Sequence, residues 1–566
     1  MEVIPIINHS MELSECRNGW TFQEAYNCWC LEDVLYTAKA AVPKFQRLSI
    51  FVPKAYLNAD GTVNENGKNG LYTAKTVPVV FENNSAGYMQ MPHTWLGGPR
   101  NYAEQYLERG LIYVTCGCRG RESRDKDGKA VGKAPITLVD LKTAIRFLRH
   151  NRAVLPGDWD KIISVGWSAG GAMSSLLAVS GDNAAFVPYL EENGAFMEES
   201  DSVFAAQIYC PIIDLEHADL AYEWMFRADK ESEDSPGGPA ETMTPFKEAL
   251  SAELSRKYIS YFNGLGLRDP ATGKELRLNP DGRSGSGYDY LMACLEASAT
   301  DYLTRLEAGK LPERYSIGDY LAGRYTYEAE ARKGPKPNQD PGSHHAGPGV
   351  ALPEQQAMSL GDIMSRPPKG MPYKAVTPKM EVRPGTDKRS WLSWDGQKAH
   401  ISDLDTYVLC HRRRMKPCTS FDMLEMNSGE NQEFGTESAD YVHFDVAVAD
   451  ALEALRERFP AEYAEYHDAF AAVRDDAALK ERVRLTNPLS FIGGQEKSRQ
   501  AAHYRIRVGA KDADTSLSVS MTLALKLANA GCGTVDYAMV WDKPHCEADY
   551  PGEVCDWIDR ICEGLF

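Results

Sequence analysis

The chain has 566 residues, 43% hydrophobic and 25% charged, with no run that could span a membrane, as suits a soluble globular protein with one large core and a cap. A formal net charge of −18 argues against a nucleic-acid partner, because phosphate binding needs a basic surface, and makes uncharged substrates the natural expectation. Thirteen scattered cysteines fit the reduced thiols of a cytoplasmic protein better than a disulfide framework, and Met1 to Trp20, with Glu2, Glu12 and Glu15, lacks the basic start and apolar run of a secretory signal.

Short apolar runs at residues 48–52, 77–81, 111–115, 162–165 and 205–210 are predicted as strands, most of them separated by helical patterns. That alternation is the signature of crossover units and a largely parallel, doubly wound sheet. Between the third and fourth strands, Leu138, Leu141, Ala144, Ile145 and Leu148 recur at spacings of three and four, which predicts one buried helix face. Cys28/Cys30 and Cys116/Cys118 are Cys-x-Cys pairs, a spacing unlike that of zinc sites, and read as small buried hydrophobes; they imply no metal.

The fourth strand runs straight into Gly166, Trp167, Ser168, Ala169, Gly170, Gly171, and a helical pattern follows from Ala172 to Val179. Gly-x-Ser-x-Gly between a strand and a helix is the nucleophile elbow of the α/β-hydrolase fold. There, glycines let strand and helix pass closely enough to hold a serine in a strained, exposed turn. Ser168 is the predicted nucleophile.

After the fifth strand, Asp214, Glu216, His217 and Asp219 match no standard metal spacing and read as a structural polar turn. Roughly three hundred residues then intervene before the next strand, far more than an ordinary connection. The expected organisation is a hydrolase core in two parts, 1–213 and 500–566, around an inserted, mainly helical lid at 214–499. Helices are predicted at 246–262, 290–306 and 445–459, and a Gly/Pro/His-rich surface loop at 334–353. Arg412, Arg413 and Arg414, followed by Met415 and Lys416, form a basic run of the kind that ordinarily makes a solvated face.

Late strands are predicted at 504–508 and 535–540, and a closing amphipathic helix at 554–565. In this fold the triad acid and then the histidine follow late strands. The loop after the first holds Asp512 and Asp514, either of which could orient an imidazole. Residues Trp541, Asp542, Lys543, Pro544 and His545 follow the second, and His545 takes the base position by order, since His503 precedes its strand and His344 and His345 lie in the Gly/Pro loop.

From residue 48 to the closing helix, the chain resembles the bacterial tannases, α/β-hydrolases that cleave galloyl esters, in particular the cytoplasmic type with a large lid. The most specific blocks are Leu155 to Asp158, Tyr209 to Ile212, Leu215 to Asp219, Ala221 to Trp224, Arg505 to Arg507 with Asp512 to Ser516, and Trp541, Asp542, Pro544, His545. The resemblance implies Asp512 as the triad acid and Asp514 as a substrate contact. It further implies that Lys416 and Glu430 from the lid bind the phenolic hydroxyls, with Ile212 as one wall of the ring pocket. One ammonium and two carboxylates suit three adjacent hydroxyls, because they donate and accept in complementary directions. No cofactor is implied.

For the chemistry, Ser168, His545 and Asp512 form the expected triad, and the oxyanion is expected on the N–H groups of Ala169 and Gly87. The expected partner is a small phenolic ester, with no nucleic acid, no membrane and the oligomeric state open. The chain departs from the family pattern at Gly429, where a proline precedes the glutamate, and in segments 334–353 and 391–394. That departure keeps a feruloyl or cinnamoyl esterase as an alternative, and a noncatalytic binding module on the same fold is the alternative of another class.

Overall fold

The computed structural model describes residues 11–98, 101–232, 241–311, 315–323, 390–494, 497–546 and 548–565. Nine strands form one sheet: β1 (Thr21–Gln23), β2 (Cys28–Leu35), β3 (Arg47–Pro53), β4 (Val79–Asn83), β5 (Ile112–Cys116), β6 (Ile162–Trp167), β7 (Ala205–Tyr209), β8 (His503–Gly509) and β9 (Thr534–Val540). Their spatial order is β1-β2-β3-β5-β4-β6-β7-β8-β9. Pairings from β1 to β5 are antiparallel, and those from β5 through β9 are parallel. The parallel part carries the continuous apolar runs, such as Val79, Val80 and Phe81 or Ile162 and Ile163, because helices cover both of its faces.

All seven predicted strands are present within one or two residues. The sequence reading lacked β1 and β2, the antiparallel edge. In β2 the register shifts between Leu31 and Val34, and Asp33 takes a left-handed φ of 60°, so the run is broken by a bulge carrying two acidic residues.

The helices that matter here are α1 (Ile136–His150), α2 (Ala169–Val179), α3 (Leu215–Met225), α4 (Pro245–Gly264), α5 (Ser286–Glu307), α6 (Val446–Leu455), α7 (Leu517–Asn529) and α8 (Glu553–Glu563). Helix α1 is buried nearly all round rather than on one face. Its polar side is neutralised internally: Lys142 meets Asp201 at 2.7 Å and Asp140 meets Arg119 at 2.7 Å. The predicted helices at 246–262, 290–306 and 445–459 appear as α4, α5 and α6. Asp445 is a cap, its carboxylate accepting from the Ala447 N–H at 2.7 Å, so α6 starts one residue later and ends at Leu455.

The predicted loop at 334–353 lies outside the described residues. Residues 391–394 enter a two-stranded hairpin, Leu392–Trp394 against Ala399–Ile401. None of the thirteen cysteines is in a disulfide. Among the described residues no helix is long and apolar enough to cross a membrane.

Candidate active site

The turn from β6 into α2 brings chains too close for side chains. A Cβ on Gly166 would stand 2.2 Å from the Gly170 carbonyl oxygen, and one on Gly171 would stand 2.3 Å from the Tyr209 carbonyl oxygen. Between these glycines Ser168 takes φ 60° and ψ −123°, a conformation that costs a non-glycine residue about 1–3 kcal/mol and persists only where neighbours fix it. Three neighbours do so. The Ser168 N–H donates to Tyr209 at 3.1 Å, and its carbonyl accepts from Ala172 at 3.0 Å and Ile212 at 3.3 Å. Asn83, at the end of β4, adds a clasp: its amide donates to the carbonyls of Val165 and Gly170 and to the Ser174 hydroxyl, and its own oxygen accepts from Ser85.

Asp512 follows β8 and is fully buried, and one of its oxygens accepts from His545 Nδ1 at 2.8 Å. Its other oxygen accepts the Asp514 N–H at 3.0 Å, while the Asp514 carboxylate stays 3.8 Å from the imidazole. Of the two aspartates, then, Asp512 is the one hydrogen-bonded to His545. Burial would raise the Asp512 carboxyl, but His545 and then Arg412 outweigh it and hold the group below its ordinary value. Burial likewise disfavours an imidazolium, yet Asp512, followed by the thiols of Cys210 and Cys546 and by Asp514, holds His545 well above its ordinary value.

Serine and histidine border the same strand end. Ser168 bonds Tyr209, and the next residue, Cys210, accepts the N–H of Cys546 on its sulfur at 3.3 Å. Gly87 lies in a single 3₁₀ turn, Ala86–Tyr88, with φ 60°; Arg121 Nε donates to its carbonyl at 2.9 Å, and the Tyr88 hydroxyl donates to the Ile212 carbonyl at 2.6 Å. Ala169 opens α2, where the first backbone N–H groups have no intrahelical acceptor.

Lys416 and Glu430 come from the long excursion between β7 and β8. The Lys416 ammonium sits 3.8 Å from the centroid of the Phe421 ring. Glu430 is the second residue of the short helix Gly429–Glu433, which Ser428 and Asn431 close with a capping box. The space beside Gly429 is filled, since a Cβ there would stand 3.1 Å from Arg121 Cζ, and Arg121 also donates to Gln432 at 2.6 Å.

Several residues to which sequence reasoning gave no role in the site hold these parts together. The buried Tyr222 hydroxyl accepts from the backbone of Met415 at 3.1 Å and Lys416 at 3.0 Å, and donates to the Ala513 carbonyl at 2.9 Å. One oxygen atom therefore ties the Lys416 segment to the loop between Asp512 and Asp514. Asp219 leaves the polar turn altogether and accepts from the backbone N–H groups of Ser420, Phe421 and Asp422. Asp422 in turn accepts from the Asn431 side chain at 2.7 Å, joining the lysine loop to the Glu430 helix. Asp214 remains in the turn, bonded to His217, Tyr261 and Asn487.

The basic run is not a solvated face. Arg412 is buried and donates to the Thr515 carbonyl, Arg413 meets Asp229 at 2.7 Å, and Arg414 pairs with Glu223, both wholly inaccessible. The only sequence signal for this role was the presence of Asp219 and Glu223 in the shared blocks.

A family model described as BD-FAE matches residues 120–237. Among solved structures, the tannin acyl hydrolase from Lactobacillus plantarum matches with 30% identity and a TM-score of 0.70, over 94% of each chain. The chain belongs to the tannase family. A tannin acyl hydrolase in complex with ethyl gallate matches at 29% identity and TM-score 0.70, again over 94% of each chain. The tannase from Fusobacterium nucleatum matches at 26% identity and TM-score 0.69, over 94% of this chain and 95% of that one. Among curated proteins, none matches the chain. As a member of the tannase family with the α/β-hydrolase fold, the protein is a carboxylic ester hydrolase.

Proposed function

We propose that this tannase-family chain is a serine esterase that hydrolyses galloyl esters and releases gallic acid. The observation that carries the reading is the single hydroxyl of Tyr222, which fixes the Lys416 backbone against the loop of Asp512 and Asp514. The link supports a cation held near the acid loop, as recognition of a polyhydroxylated acyl ring beside the triad would require. In the proposed pocket Lys416, Glu430 and Asp514 bind the ring hydroxyls, and Ile212 forms one wall. Arg121 occupies the space beside Gly429, which supports a closed pocket despite the missing proline. Segment 214–499 acts as the lid between core parts 1–213 and 500–566.

In the first half-reaction, Ser168 Oγ attacks the galloyl carbonyl as its proton passes to His545 Nε2, while Asp512 holds Nδ1–H and the tautomer. The N–H groups of Ala169 and Gly87 carry the oxyanion. His545 returns the proton to the leaving alcohol, and an acyl-enzyme remains. Water then attacks it, His545 taking the water proton and passing it to Ser168 Oγ as gallate leaves.

The test compares kcat/KM for methyl gallate, methyl ferulate and methyl benzoate, with Ser168→Ala as blank. Strong preference for gallate is expected, because buried polar groups left unpaired by an analogue cost ~10⁴-fold or more in a site built for hydroxyls. Equal rates on gallate and benzoate would dismiss the pocket; preference for ferulate would select the cinnamoyl alternative. Turnover surviving in Ser168→Ala would remove the triad.

A further inference from the structure

Two thiols and an imidazole meet at the strand end beside Ser168. Cys210 follows the last residue of β7, and Cys546 follows His545, yet their sulfurs are only 3.8 Å apart although 336 positions separate them in sequence. The two sulfurs and a ring nitrogen of His545 all lie within 4.8 Å of one another. Both cysteines hold left-handed backbone conformations, φ 38° and φ 67°, so the thiols are turned together by strained backbone rather than by a regular element.

Zinc binds thiolate at ~2.3 Å in tetrahedral geometry, which places two thiolates on one ion ~3.8 Å apart. The sulfurs of Cys210 and Cys546 already stand at that edge length, and the imidazole needs to close by about 1.2 Å at most to complete three of four positions. We propose that Cys210, Cys546 and His545 form a site for a thiophilic divalent cation, zinc by preference, and that its occupancy stops ester hydrolysis. The fourth position stays open to water. As the ion binds, the protons on the two thiols and on the ligating imidazole nitrogen pass to solvent, and the two thiolates balance the ion's charge.

Inhibition follows from the ligand the ion takes. On Nε2 it blocks the lone pair that must receive the Ser168 proton; on Nδ1 it displaces Asp512. The imidazole is one-fifth exposed and Cys546 half-buried, so an ion can reach the site from solvent. Cys28 and Cys30 provide the contrast. Their sulfurs are 3.7 Å apart, but both are buried in β2, and among the described residues no third ligand joins them.

The inhibitory part of this proposal rests on His545 being the base; the metal site does not. The test is therefore made on binding and turnover separately. The full chain, reduced and freed of metal with a chelator, is titrated with Co²⁺ and then Zn²⁺. Expected are one equivalent of Co²⁺ with thiolate-to-cobalt charge-transfer absorption, its displacement by Zn²⁺, and loss of esterase activity that the chelator reverses. Each of Cys210→Ser and Cys546→Ser, compared with its own zinc-free rate, should need at least the roughly tenfold higher zinc that even an outer-shell change costs. Cys28→Ser should behave as the parent. Absence of charge-transfer absorption in the parent chain, or its persistence in both serine variants, overturns the site. Stoichiometric binding with undiminished turnover overturns the inhibition, and turnover retained by Ser168→Ala shows instead that the esterase mechanism was misassigned.

Discussion

Removing one oxygen atom from Tyr222 should separate galloyl recognition from ester chemistry. In Tyr222→Phe the ring remains in its buried place, but two N–H groups, of Met415 and Lys416, and the Ala513 carbonyl lose their partner. Each neutral buried hydrogen bond is worth ~1 kcal/mol net and more when a partner is left unsatisfied, so the loss of stability should be about 3 kcal/mol. Part of that cost can be relieved only by moving the Lys416 backbone away from the Asp512–Asp514 loop. If half of it appears as misplacement in the substrate complex, kcat/KM for methyl gallate falls ~10-fold, whereas methyl benzoate, with no hydroxyls to grip, changes by less than ~3-fold. Thermal unfolding and kcat/KM on the two esters are the assays. Equal proportional losses on both substrates would mean general damage to the triad loop. No loss of stability and an unchanged ratio would mean that the link is not what holds the lysine.

The remaining predictions address the acid, the lysine and the core. Asp512→Asn should lower kcat by ~10³–10⁴ while the methyl gallate KM changes little, because the imidazole loses its tautomer and its stabilising charge. With His545 raised above its ordinary value in the native protein, the active neutral form is lost as pH falls through that raised value; Asp512→Asn should move this acidic limb of the rate profile downward. Lys416→Met should reduce the gallate-to-benzoate ratio by ~10–100-fold, the worth of a charge-assisted hydrogen bond, and leave benzoate turnover near the parent's. Glu82 is buried in β4 beneath the Tyr113 hydroxyl, and burial, only partly offset by that bond, raises its carboxyl to about 8. The native state thus keeps a proton that the unfolded chain releases near pH 4.5, and stability present below that pH is lost progressively up to about pH 8. Glu82→Gln should raise the melting temperature near pH 9 and leave it unchanged near pH 4.5, read by thermal denaturation across that range.

The parallel sheet was legible because its strands are buried on both faces and read as unbroken apolar runs; β2 was not, because Glu32 and Asp33 interrupt it at a bulge. The elbow was legible for a local reason. Gly166, Ser168 and Gly171 lie within one turn, and the crowding that demands glycine is written in adjacent letters. Chain order and elimination pointed to His545 but could not separate Asp512 from Asp514, two residues on one loop. Only the 2.8 Å against 3.8 Å approach to the imidazole distinguishes them.

What sequence could not reveal is how a lysine and a glutamate some two hundred and fifty residues beyond the elbow are held in register with it. The ties are all polar, buried and long-range: Asp219 to the backbone of 420–422, Glu223 to Arg414, and Tyr222 to Lys416 and Ala513. Three of these residues lie on α3, the first helix after β7, so one helix seated on the sheet carries the anchor points for the excursion. Charge composition misleads at such a place. Arg412, Arg413 and Arg414 look like a hydrated run because arginine is usually exposed, yet a buried guanidinium paired with a buried carboxylate is the more demanding arrangement, since either partner left alone would cost ~3–5 kcal/mol. That asymmetry makes Glu223 and Arg414 interdependent, and with the buried Cys418 and Phe421 it fixes the loop that carries Lys416 against the core.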